Sequence, residues 1–399
     1  MWNEQNLINL LSERIKNNCS KYTGCIPNAV ANREGRYECQ TGGHWTDGFW
    51  PGMLLLANVC KKDDVYIQEF EKYIPFFEER VANDPEVNAI NGYIGLDHDV
   101  GFIFHLTAVF HFRLTGSAVS EKISLQAADA LAARFQERGA FIRAWNDWEH
   151  DTPEFRELKK GKAIIDSLMN LPLLYWASRH TGEVRYAQIA SCHANTLMRN
   201  IVREDGSTYH TFQFDPATGE PKGGKTAQGY ADDSCWSRGQ AWALYGLALN
   251  YRHSSDEQML ATALRCAEYW QRSLLPNGDA PWDFAAPRTE RLPIDTSAMA
   301  IAACGLLELA SLLPERSDLL QLARATVRRL IDAHLAPASL EPNAFLLHGC
   351  VGPSYFKGSQ EEATGEYGYG TDQPLIYGDY FFYEALLRLN NSSVVLPWF

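Results

Sequence analysis

The sequence predicts an all-α protein built as an (α/α)6 toroid, in which six outer helices surround six inner helices. Apolar residues recur at helical spacing along most of the 399 residues. The helical segments alternate between a kind that is apolar on every side and a kind with one apolar stripe. An open solenoid of helix pairs is the alternative, but it should show a sequence repeat, and we find none. A closed double ring accounts for both observations.

The helices can be placed in order along the chain. Leu7, Leu11 and Ile15 recur every four residues and predict an amphipathic first helix over about 4–17. The same criterion predicts enough further helices to complete six pairs. They cover approximately 48–61, 65–80, 99–115, 119–136, 162–180, 184–201, 236–251, 256–274, 296–313, 317–335 and 376–390.

One pair illustrates the alternation between the two rings. The segment "AMAIAACGLLELASLL" carries Glu308 as its only charged residue. The segment that follows it, "SDLLQLARATVRRLIDAHL", combines an apolar stripe with Arg324, Arg328, Arg329 and Asp332. A helix without a polar face must be buried on all sides, whereas an amphipathic helix can face solvent. The first segment is therefore assigned to the inner ring and the second to the outer ring.

Little β structure is expected. The segment "DGSTYHTFQFDPATGEPKGG" alternates Thr, Tyr and Phe before a run of turn residues. This pattern predicts a short β-hairpin inserted ahead of the helix at about 236–251. Since neither a linker nor a low-complexity segment divides the sequence, residues 1–399 are expected to form a single α/α-toroid catalytic domain.

The charge of the chain excludes one class of partner. The formal net charge is −13, and the sequence contains no basic run. Nucleic-acid binding requires clustered Lys and Arg that neutralise phosphates, so no nucleic-acid partner is expected. An anionic substrate would have to be held by a few local cations against this overall field.

Other sequence features predict a cytoplasmic protein without a metal or membrane partner. The N-terminal "MWNEQNLINLLSERIKNN" lacks the apolar core of a secretory signal, and no run of about 18 apolar residues follows. The nine cysteines are odd in number and far apart, so all nine are expected to be free thiols. Neither C-x-x-C nor H-E-x-x-H occurs, so no metal site is expected. The sequence carries no signal for the oligomeric state.

The stretch "GYADDSCWSRGQAW", from Gly229 to Trp242, begins an inner helix with charged and aromatic residues. In an α/α toroid the inner helices run in one sense, so their N-terminal ends converge on one mouth. Arg238 and Trp242 are four residues apart and share a helix face. An arginine beside indole rings suits a sugar acid, because the guanidinium can bind the carboxylate. We therefore expect Arg238→Ala to weaken substrate binding more than folding.

Two aspartates are candidates for acid catalysis. Asp99, in "GLDHDVGFIFHL", begins an inner helix, and Asp166, in "AIIDSLMNLPLLYW", interrupts an almost wholly apolar one. A desolvated carboxyl group has a raised pKa and can stay protonated near neutrality as a general acid. From residue types alone, Asp99 could be only an N-cap and Asp166 only a hydrogen-bonded core residue.

Several motifs, taken together, resemble the sequence pattern of a known family. In chain order they are "HDVGF", "IIDSLMNLPLLYWA", "QGYADDSCWSRGQAWALYG", "PWDF", "DTSAMAIAACGLLEL" and "YGDYFFYEALLRL". This set resembles glycoside hydrolase family 88, the unsaturated glucuronyl hydrolases, over most of the chain. The resemblance implies a cytoplasmic α/α toroid that removes the 4,5-unsaturated uronic acid which polysaccharide lyases leave at the non-reducing end of oligosaccharides. It implies no metal and no organic cofactor.

The resemblance also implies roles for particular residues. The two active-site aspartates of the family correspond to Asp99 and Asp166. The segment 146–162 departs from the family pattern, since it is longer and more charged, and it is expected to reshape the subsite for the second sugar. The residues implied to contact the sugar are His210, Gln228, Trp236, Arg238 and Trp242, with Trp45, Phe49 and Trp145 nearer the pocket mouth.

The chemistry that the resemblance implies is hydration of a vinyl ether. The C4=C5 double bond is conjugated to the carboxylate of the terminal sugar, and protonation at C4 produces an oxocarbenium-like centre at C5. Asp166 is implied to deliver this proton and then to accept one from the water that adds at C5. Asp99 is implied to hold sugar hydroxyls and to shape the charge around Asp166. The usual two-carboxylate scheme instead protonates the leaving oxygen.

Other functions stay open from the sequence. An unsaturated rhamnogalacturonyl hydrolase would have the same toroid and chemistry with a pectin-derived substrate. A sugar epimerase on this fold would need a pair of histidines as acid and base, and a carbohydrate-binding protein would not turn over its ligand. Sulfate binding is also open, because some family members hold a sulfate with a C-terminal loop. Here that loop is "GPSYFKGSQ", which offers Ser354, Lys357 and Ser359.

Overall fold

The computed structural model arranges its helices in two concentric rings and so confirms the predicted (α/α)6 toroid. It describes residues 4–91, 93–147, 151–289, 292–337, 343–352, 370–391 and 393–398. The residues Ser354, Lys357 and Ser359 lie outside this part of the chain. In order, the described helices are α1 (Glu4–Tyr22), α2 (Phe49–Lys61), α3 (Val65–Glu71), α4 (Ile74–Ala82), α5 (Pro85–Asn91), α6 (Val100–Phe104), α7 (Phe110–Thr115), α8 (Ala118–Ala132), α9 (Pro153–Lys160), α10 (Pro172–Thr181), α11 (Val184–Asn200), α12 (Ser237–Ser254), α13 (Glu257–Ser273), α14 (Thr296–Leu312), α15 (Ser317–His334) and α16 (Ile376–Asn390).

The inner ring closes through direct packing between neighbouring helices. A π-helical turn, His105–Val109, joins α6 to α7 and packs against α2, and α10 lies between α6 and α12. In turn α12 packs against α14, α14 against α16, and α16 against α2. Every residue of α14 from Thr296 to Leu309 is buried, including Glu308, which accepts hydrogen bonds from Arg252 and Arg388. Burial on all sides explains why these segments are so apolar.

The outer ring consists of amphipathic helices that each precede an inner helix. It contains α1, α4, α8, α11, α13 and α15. In α15 the buried face includes Leu319, Ala323, Val327 and Leu330, which recur at helical spacing. Because each outer helix leads into an inner one, the inner helices share one direction and their N-terminal ends meet at one mouth. No helix of the described chain is long and apolar enough to cross a membrane.

Short antiparallel strands connect some of the helices. In chain order, the described strands are β1 (Ile26–Pro27), β2 (Cys39–Gln40), β3 (Phe135–Gln136), β4 (Phe141–Ile142), β5 (Lys162–Ile164), β6 (Thr211–Phe214), β7 (Pro221–Lys225), β8 (Gly349–Cys350) and β9 (Thr371–Gln373). The predicted hairpin is present as β6 and β7, and β5 adds a third strand in the order β5-β6-β7. The remaining pairs are β1 with β2, β3 with β4, and β8 with β9.

The segment 162–171 is not the start of a helix, and the prediction of a continuous helix over 162–180 is wrong there. The strand β5 pairs with β6, and Ile165–Met169 then forms a 3₁₀ turn. The α-helix begins only at Pro172, and proline suits a first helical position because it has no N–H to pair with the preceding turn. The prediction also lacks the short helices α5 and α9.

Two of the nine cysteines are bonded, so the prediction that all nine are free is wrong. The pairing of β1 with β2 brings the Cα atoms of Cys25 and Cys39 to 5.7 Å, and the two residues form a disulfide. This separation lies within the range that a disulfide spans. The sequence alone gives no register for two such short strands, which is why it did not reveal the pair. The seven other cysteines are free.

Candidate active site

The N-terminal ends of the inner helices enclose a cavity of about 600 Å³, a volume within the usual range for small-molecule sites. Of the residues that the sequence assigned to the site, Phe49 and His210 do not line this cavity. The assigned residues that do line it are Trp45, Asp99, Trp145, Asp166, Gln228, Trp236, Arg238 and Trp242.

Asp166 lies in the 3₁₀ turn Ile165–Met169, and the other residues of that turn are buried. Its Oδ1 atom is buried and has no hydrogen-bond partner among the described residues. Burial raises the pKa of this carboxyl group to about 7, although the positive charge of Arg238 partly opposes the shift. A carboxyl group in this state keeps a proton near neutral pH and can donate it to a ligand in the cavity.

Asp99 precedes α6 and lines the same cavity, but its side chain makes no capping hydrogen bond to the helix. Asn170 joins the two acids, since its Nδ2 donates to Asp99 Oδ1 at 3.4 Å and to the main-chain carbonyl of Asp166 at 3.3 Å. Gly101 permits this approach, because a Cβ atom there would lie 2.6 Å from the Cα of Asn170. Burial raises the pKa of Asp99 well above its usual value, and the charges of Asp97 and Asp166 add to the shift.

His98 contacts Asp99 from the other side. Its Nδ1 lies 3.0 Å from the carbonyl oxygen of Ala144, which can only accept, so Nδ1 carries the proton. Burial lowers the pKa of His98, and the neutral ring presents a bare Nε2 at 3.2 Å from Asp99 Oδ1. This contact is favourable when Asp99 is protonated. The ligand-type atoms of Asp97, His98 and Asp99 lie within 4.8 Å of one another, a cluster that consecutive polar residues also produce without a metal.

His210 supports two residues of the cavity wall. Its Nδ1 accepts hydrogen bonds from the main-chain N–H groups of Ala227 at 3.0 Å and Gln228 at 3.2 Å. The ring centroid lies 4.4 Å from that of Trp236. Because Nδ1 accepts, the proton is on Nε2, which has no partner in the described part of the chain. Burial, with the charge of Arg238, lowers the pKa of His210 to about 3, so the neutral ring offers one N–H donor.

Arg238 lines the cavity but is already paired within the protein. Its Nη1 donates to Asp295 Oδ2 at 2.5 Å and to the carbonyl of Cys350 at 2.6 Å, and its Nη2 donates to the carbonyl of Val351 at 2.8 Å. Both members of the ion pair are almost fully buried. Removing one partner of a buried pair typically costs about 3–5 kcal/mol. From this geometry we expect Arg238→Ala to weaken folding as well as binding, which differs from the expectation based on the sequence.

Aromatic rings form another part of the wall. Trp45 packs on Tyr377 with ring centroids 4.9 Å apart, and Trp242 packs on Phe102 at 5.0 Å. Phe49 is fully buried behind Trp45, with centroids 5.6 Å apart, so it supports Trp45 instead of forming the expected contact near the mouth. Sequence reasoning missed Tyr377, although it directly precedes the "GDY" motif at the start of the last inner helix.

The segment that departs from the family pattern also contributes to the wall. It contains α9, whose N-cap Thr152 accepts a hydrogen bond from the N–H of Phe155 at 3.2 Å. Phe155 and Lys159 line the cavity. Lys159 is buried and forms an ion pair with Asp151 at 2.5 Å, and its Nζ lies 5.0 Å from the centroid of the Phe155 ring. The extra segment thus supplies Phe155 and Lys159 to the cavity wall.

Comparison with known proteins assigns the chain to a family. The sequence profile of Glycosyl Hydrolase Family 88 matches residues 21–264. The chain belongs to glycosyl hydrolase family 88. An unsaturated glucuronyl hydrolase of Bacillus sp. (strain GL1) is 36% identical over 380 residues, which is 94% of this chain and 93% of the relative. An unsaturated chondroitin disaccharide hydrolase of Streptococcus pneumoniae is 34% identical over 88% of this chain and 83% of the relative.

Solved structures of family 88 proteins have the same fold. The unsaturated glucuronyl hydrolase from Bacillus sp. GL1, described as responsible for the degradation of glycosaminoglycan, matches with a TM-score of 0.84 at 34% identity, covering 98% of this chain and 97% of that chain. A Streptococcus agalactiae variant complexed with dGlcA-GalNAc6S matches with a TM-score of 0.76 at 30% identity, covering 99% and 94%. This family 88 chain is therefore a glycoside hydrolase.

Sequence reasoning missed several residues that complete this family 88 site. Asn170 donates a hydrogen bond to Asp99, Asp295 accepts one from Arg238, and Tyr377 lines the cavity. Asp295 had a usable signal, because the "DTS" motif places an aspartate at the N-cap of an inner helix. Asn170 had none, since an amide at the end of an apolar segment is an ordinary helix-end residue.

Proposed function

We propose that this family 88 enzyme removes a 4,5-unsaturated uronic acid from the non-reducing end of lyase-generated oligosaccharides. The observation that carries the proposal is Asp166, a carboxyl group with a raised pKa and an unpartnered oxygen, at a cavity of sugar-binding size. Relatives named unsaturated glucuronyl hydrolase and unsaturated chondroitin disaccharide hydrolase support the same reaction. Unsaturated glycosaminoglycan fragments are therefore the first substrates to test.

The reaction is hydration of the C4=C5 double bond of the terminal sugar. Asp166 donates its proton to C4, and the ring oxygen stabilises the positive charge that develops at C5. Water adds at C5 and gives a proton to the Asp166 carboxylate, which restores the acid. The hemiketal so formed opens, breaks the bond to the second sugar and leaves a 4-deoxy-5-keto uronic acid. The acid–base steps need only the Asp166 carboxyl group and one water molecule.

Asp99 orients the substrate and limits the negative charge near Asp166. When protonated, it lies beside the bare Nε2 of His98 without charge repulsion and keeps its second oxygen free to accept from a sugar hydroxyl. A neutral Asp99 also makes it easier for Asp166 to become a carboxylate during the reaction, because two adjacent negative charges repel. The raised pKa of Asp99 and its contact with Asn170 support this role.

The sugar is held by donors and aromatic faces of the wall. Gln228 contributes its side-chain amide, and His210, which lies behind the wall, holds the main chain of Ala227 and Gln228 in place. Arg238 uses three of its N–H groups within the protein and binds the substrate carboxylate with those that remain. The indole rings proposed to pack against the sugars are Trp45, Trp145, Trp236 and Trp242. Phe49 acts through Trp45 and makes no direct contact.

The test is turnover of a panel of lyase-generated unsaturated disaccharides, followed by the ultraviolet absorbance of the conjugated double bond. Absorbance should fall as the second sugar is released, and turnover in D2O should place deuterium at C4. Activity confined to unsaturated rhamnogalacturonan disaccharides would assign the enzyme to pectin fragments. A change in the sugar without release of the second ring would indicate an epimerase. Constant absorbance with every substrate would refute the proposal.

We also propose that the chain acts as one domain in the cytoplasm. The closed ring of inner helices supports one domain, and it predicts a single cooperative unfolding transition. The free cysteines support a reducing compartment, whereas the Cys25–Cys39 disulfide argues for an oxidising one. Fractionation of cells, with alkylation of thiols before lysis, would decide between the two compartments.

A further inference from the structure

Three lysines lie close together near α9, and two of them are neutralised. Lys159 pairs with Asp151 at 2.5 Å, and Lys225 pairs with Asp232 at 2.8 Å. Lys162 forms neither a hydrogen bond nor an ion pair with any described residue. Burial lowers the pKa of Lys162, the negative charge of Asp232 opposes this shift, and the positive charges of Lys225 and Lys159 add to it. Among the described residues, the group therefore has one positive charge without an ion-pair partner of its own, in a chain whose net charge is −13.

The uncompensated ammonium points toward the cavity wall. Lys162 and Ile164 are two residues apart in β5 and so share a face of the strand, and Ile164 lines the cavity. The Nζ of Lys162 lies 5.6 Å from the centroid of the Trp145 ring, within cation–π distance, and Trp145 lines the cavity as well. Within the part of the chain that the structure describes, this half-buried cation has no ion-pair partner, and an anionic ligand can provide one.

The distance between Lys162 and Asp166 determines which sugar of the substrate lies beside Lys162. Lys162 precedes Asp166 by four residues; the chain is extended as far as Ile164 and then enters the 3₁₀ turn, so the two Cα atoms are at most about 10 Å apart. The ring that receives the proton must lie against Asp166. A group about 10 Å along the wall meets the next sugar, beside Trp145 and the α9 residues Phe155 and Lys159.

We propose that Lys162, beside Trp145, forms an anion subsite for a sulfate or carboxylate group carried by the second sugar of the substrate. The subsite rests on the proposed function, because it presupposes that the terminal unsaturated sugar lies at Asp166. It makes the enzyme selective for fragments whose second sugar is negatively charged. The positive charge that would bind this anion is carried by Lys162 in β5, at the end of the segment 146–162 in which the sequence departs from the family pattern.

The test compares three unsaturated disaccharides in wild type, Lys162→Met and Lys162→Arg. The second sugar is neutral in the first, 6-sulfated as in dGlcA-GalNAc6S in the second, and itself a uronic acid in the third. Lys162→Met keeps the aliphatic stem against Trp145 and removes the charge. We expect it to lower kcat/KM for a charged substrate about three- to tenfold relative to the neutral one, and Lys162→Arg to restore the preference. Lys222→Met, on the exposed strand β7, is the matched control and should leave the preference unchanged.

The outcomes separate the two ligand chemistries and the two proposals. A loss confined to the sulfated substrate assigns a sulfate subsite, a loss confined to the uronate assigns a carboxylate subsite, and a loss with both assigns a general anion subsite. An equal loss with all three disaccharides, or no loss with any, overturns the subsite. If wild type turns over none of the three, the proposed function fails, and the neutral substrate reports that failure independently of Lys162.

Discussion

Replacing Asp166 with asparagine should abolish turnover while keeping the fold and the ligand site. The amide has almost the shape of the carboxyl group, and Oδ1 of Asp166 has no partner among the described residues, so no hydrogen bond is lost at that atom. General acid catalysis usually contributes about 10²–10⁴-fold. Because the proton goes to carbon, where water is a poor substitute, we expect the loss in kcat to lie near the upper end, about 10⁴-fold or about 5 kcal/mol.

Initial rates measured from the absorbance of the double bond, together with calorimetric binding of the uncleaved disaccharide, test this prediction. Asn170→Asp is a poor control because it adds charge beside Asp99, so Ser167→Ala, in the same buried turn, serves as the control. It should change stability more than chemistry, since the hydroxyl contacts His193 at 2.7 Å. Asp166→Asn with activity within tenfold of wild type would remove Asp166 as the proton donor.

The pKa of Asp166 links activity and stability to pH in the same range. The active form is protonated, so kcat/KM should fall as pH rises through about 7. The folded-state pKa is raised above the ordinary value of about 3.9, so the stability that this group contributes is present below about pH 4 and is lost as pH rises toward 7. The loss is at most about 4 kcal/mol. Asp166→Asn should therefore unfold at a higher denaturant concentration than wild type at pH 8, and near the same concentration at pH 4. A variant that loses activity and gains stability cannot be explained by misfolding.

Three other predictions concern groups around the acid. Asp99→Asn should lower kcat because the sugar is held less precisely, but it should leave the pH midpoint of kcat/KM near 7, because a protonated Asp99 carries no charge to remove; a clear shift of that midpoint in the pH–rate profile would contradict this. Arg238→Ala should lower the free energy of unfolding by about 3–5 kcal/mol, and Arg238→Ala with Asp295→Ala by less, which denaturant titration of both variants measures. Thiol titration of the denatured, unreduced chain should find seven thiols, and nine after reduction of Cys25–Cys39; nine before reduction would show that the pair is not bonded.

The helices could be predicted because buried positions on a helix recur at helical spacing, so apolar residues recur at the same spacing in the sequence. The unbroken apolar run of α14 indicates an inner helix, and the stripe of α15 indicates an outer one. Both signals are local, so one sequence is enough to read them. Short strands have no such signal. Two-residue strands such as β1 and β2 exist through their register with each other, and the Cys25–Cys39 disulfide depends on that register.

The site residues also differ in whether their signal is local in the sequence or depends on contacts between distant elements. Asp166 could be found because a lone charge in an apolar segment is conspicuous, and Trp242 because it follows Arg238 by one helical turn. The partners of these residues come from distant elements. Asp295 lies 57 positions from Arg238, and only the packing of α12 against α14 brings the two together. For that reason the sequence predicts an arginine at the cavity but not that its charge is already neutralised.

The break in the chain before α10, which the sequence failed to predict, sets the surroundings of Asp166. Here β5 holds the preceding residues in the sheet with β6, Asp166 lies at the start of the 3₁₀ turn Ile165–Met169, and the α-helix begins six residues later, at Pro172. The start of a helical turn offers unpaired N–H groups that stabilise a carboxylate. Burial is nevertheless the larger effect and keeps the pKa of the Asp166 carboxyl group at about 7, although the charge of Arg238 and the main-chain N–H of Asp166 do lower it. The feature that defeats the helical prediction therefore places the proposed acid in a buried turn at the cavity wall.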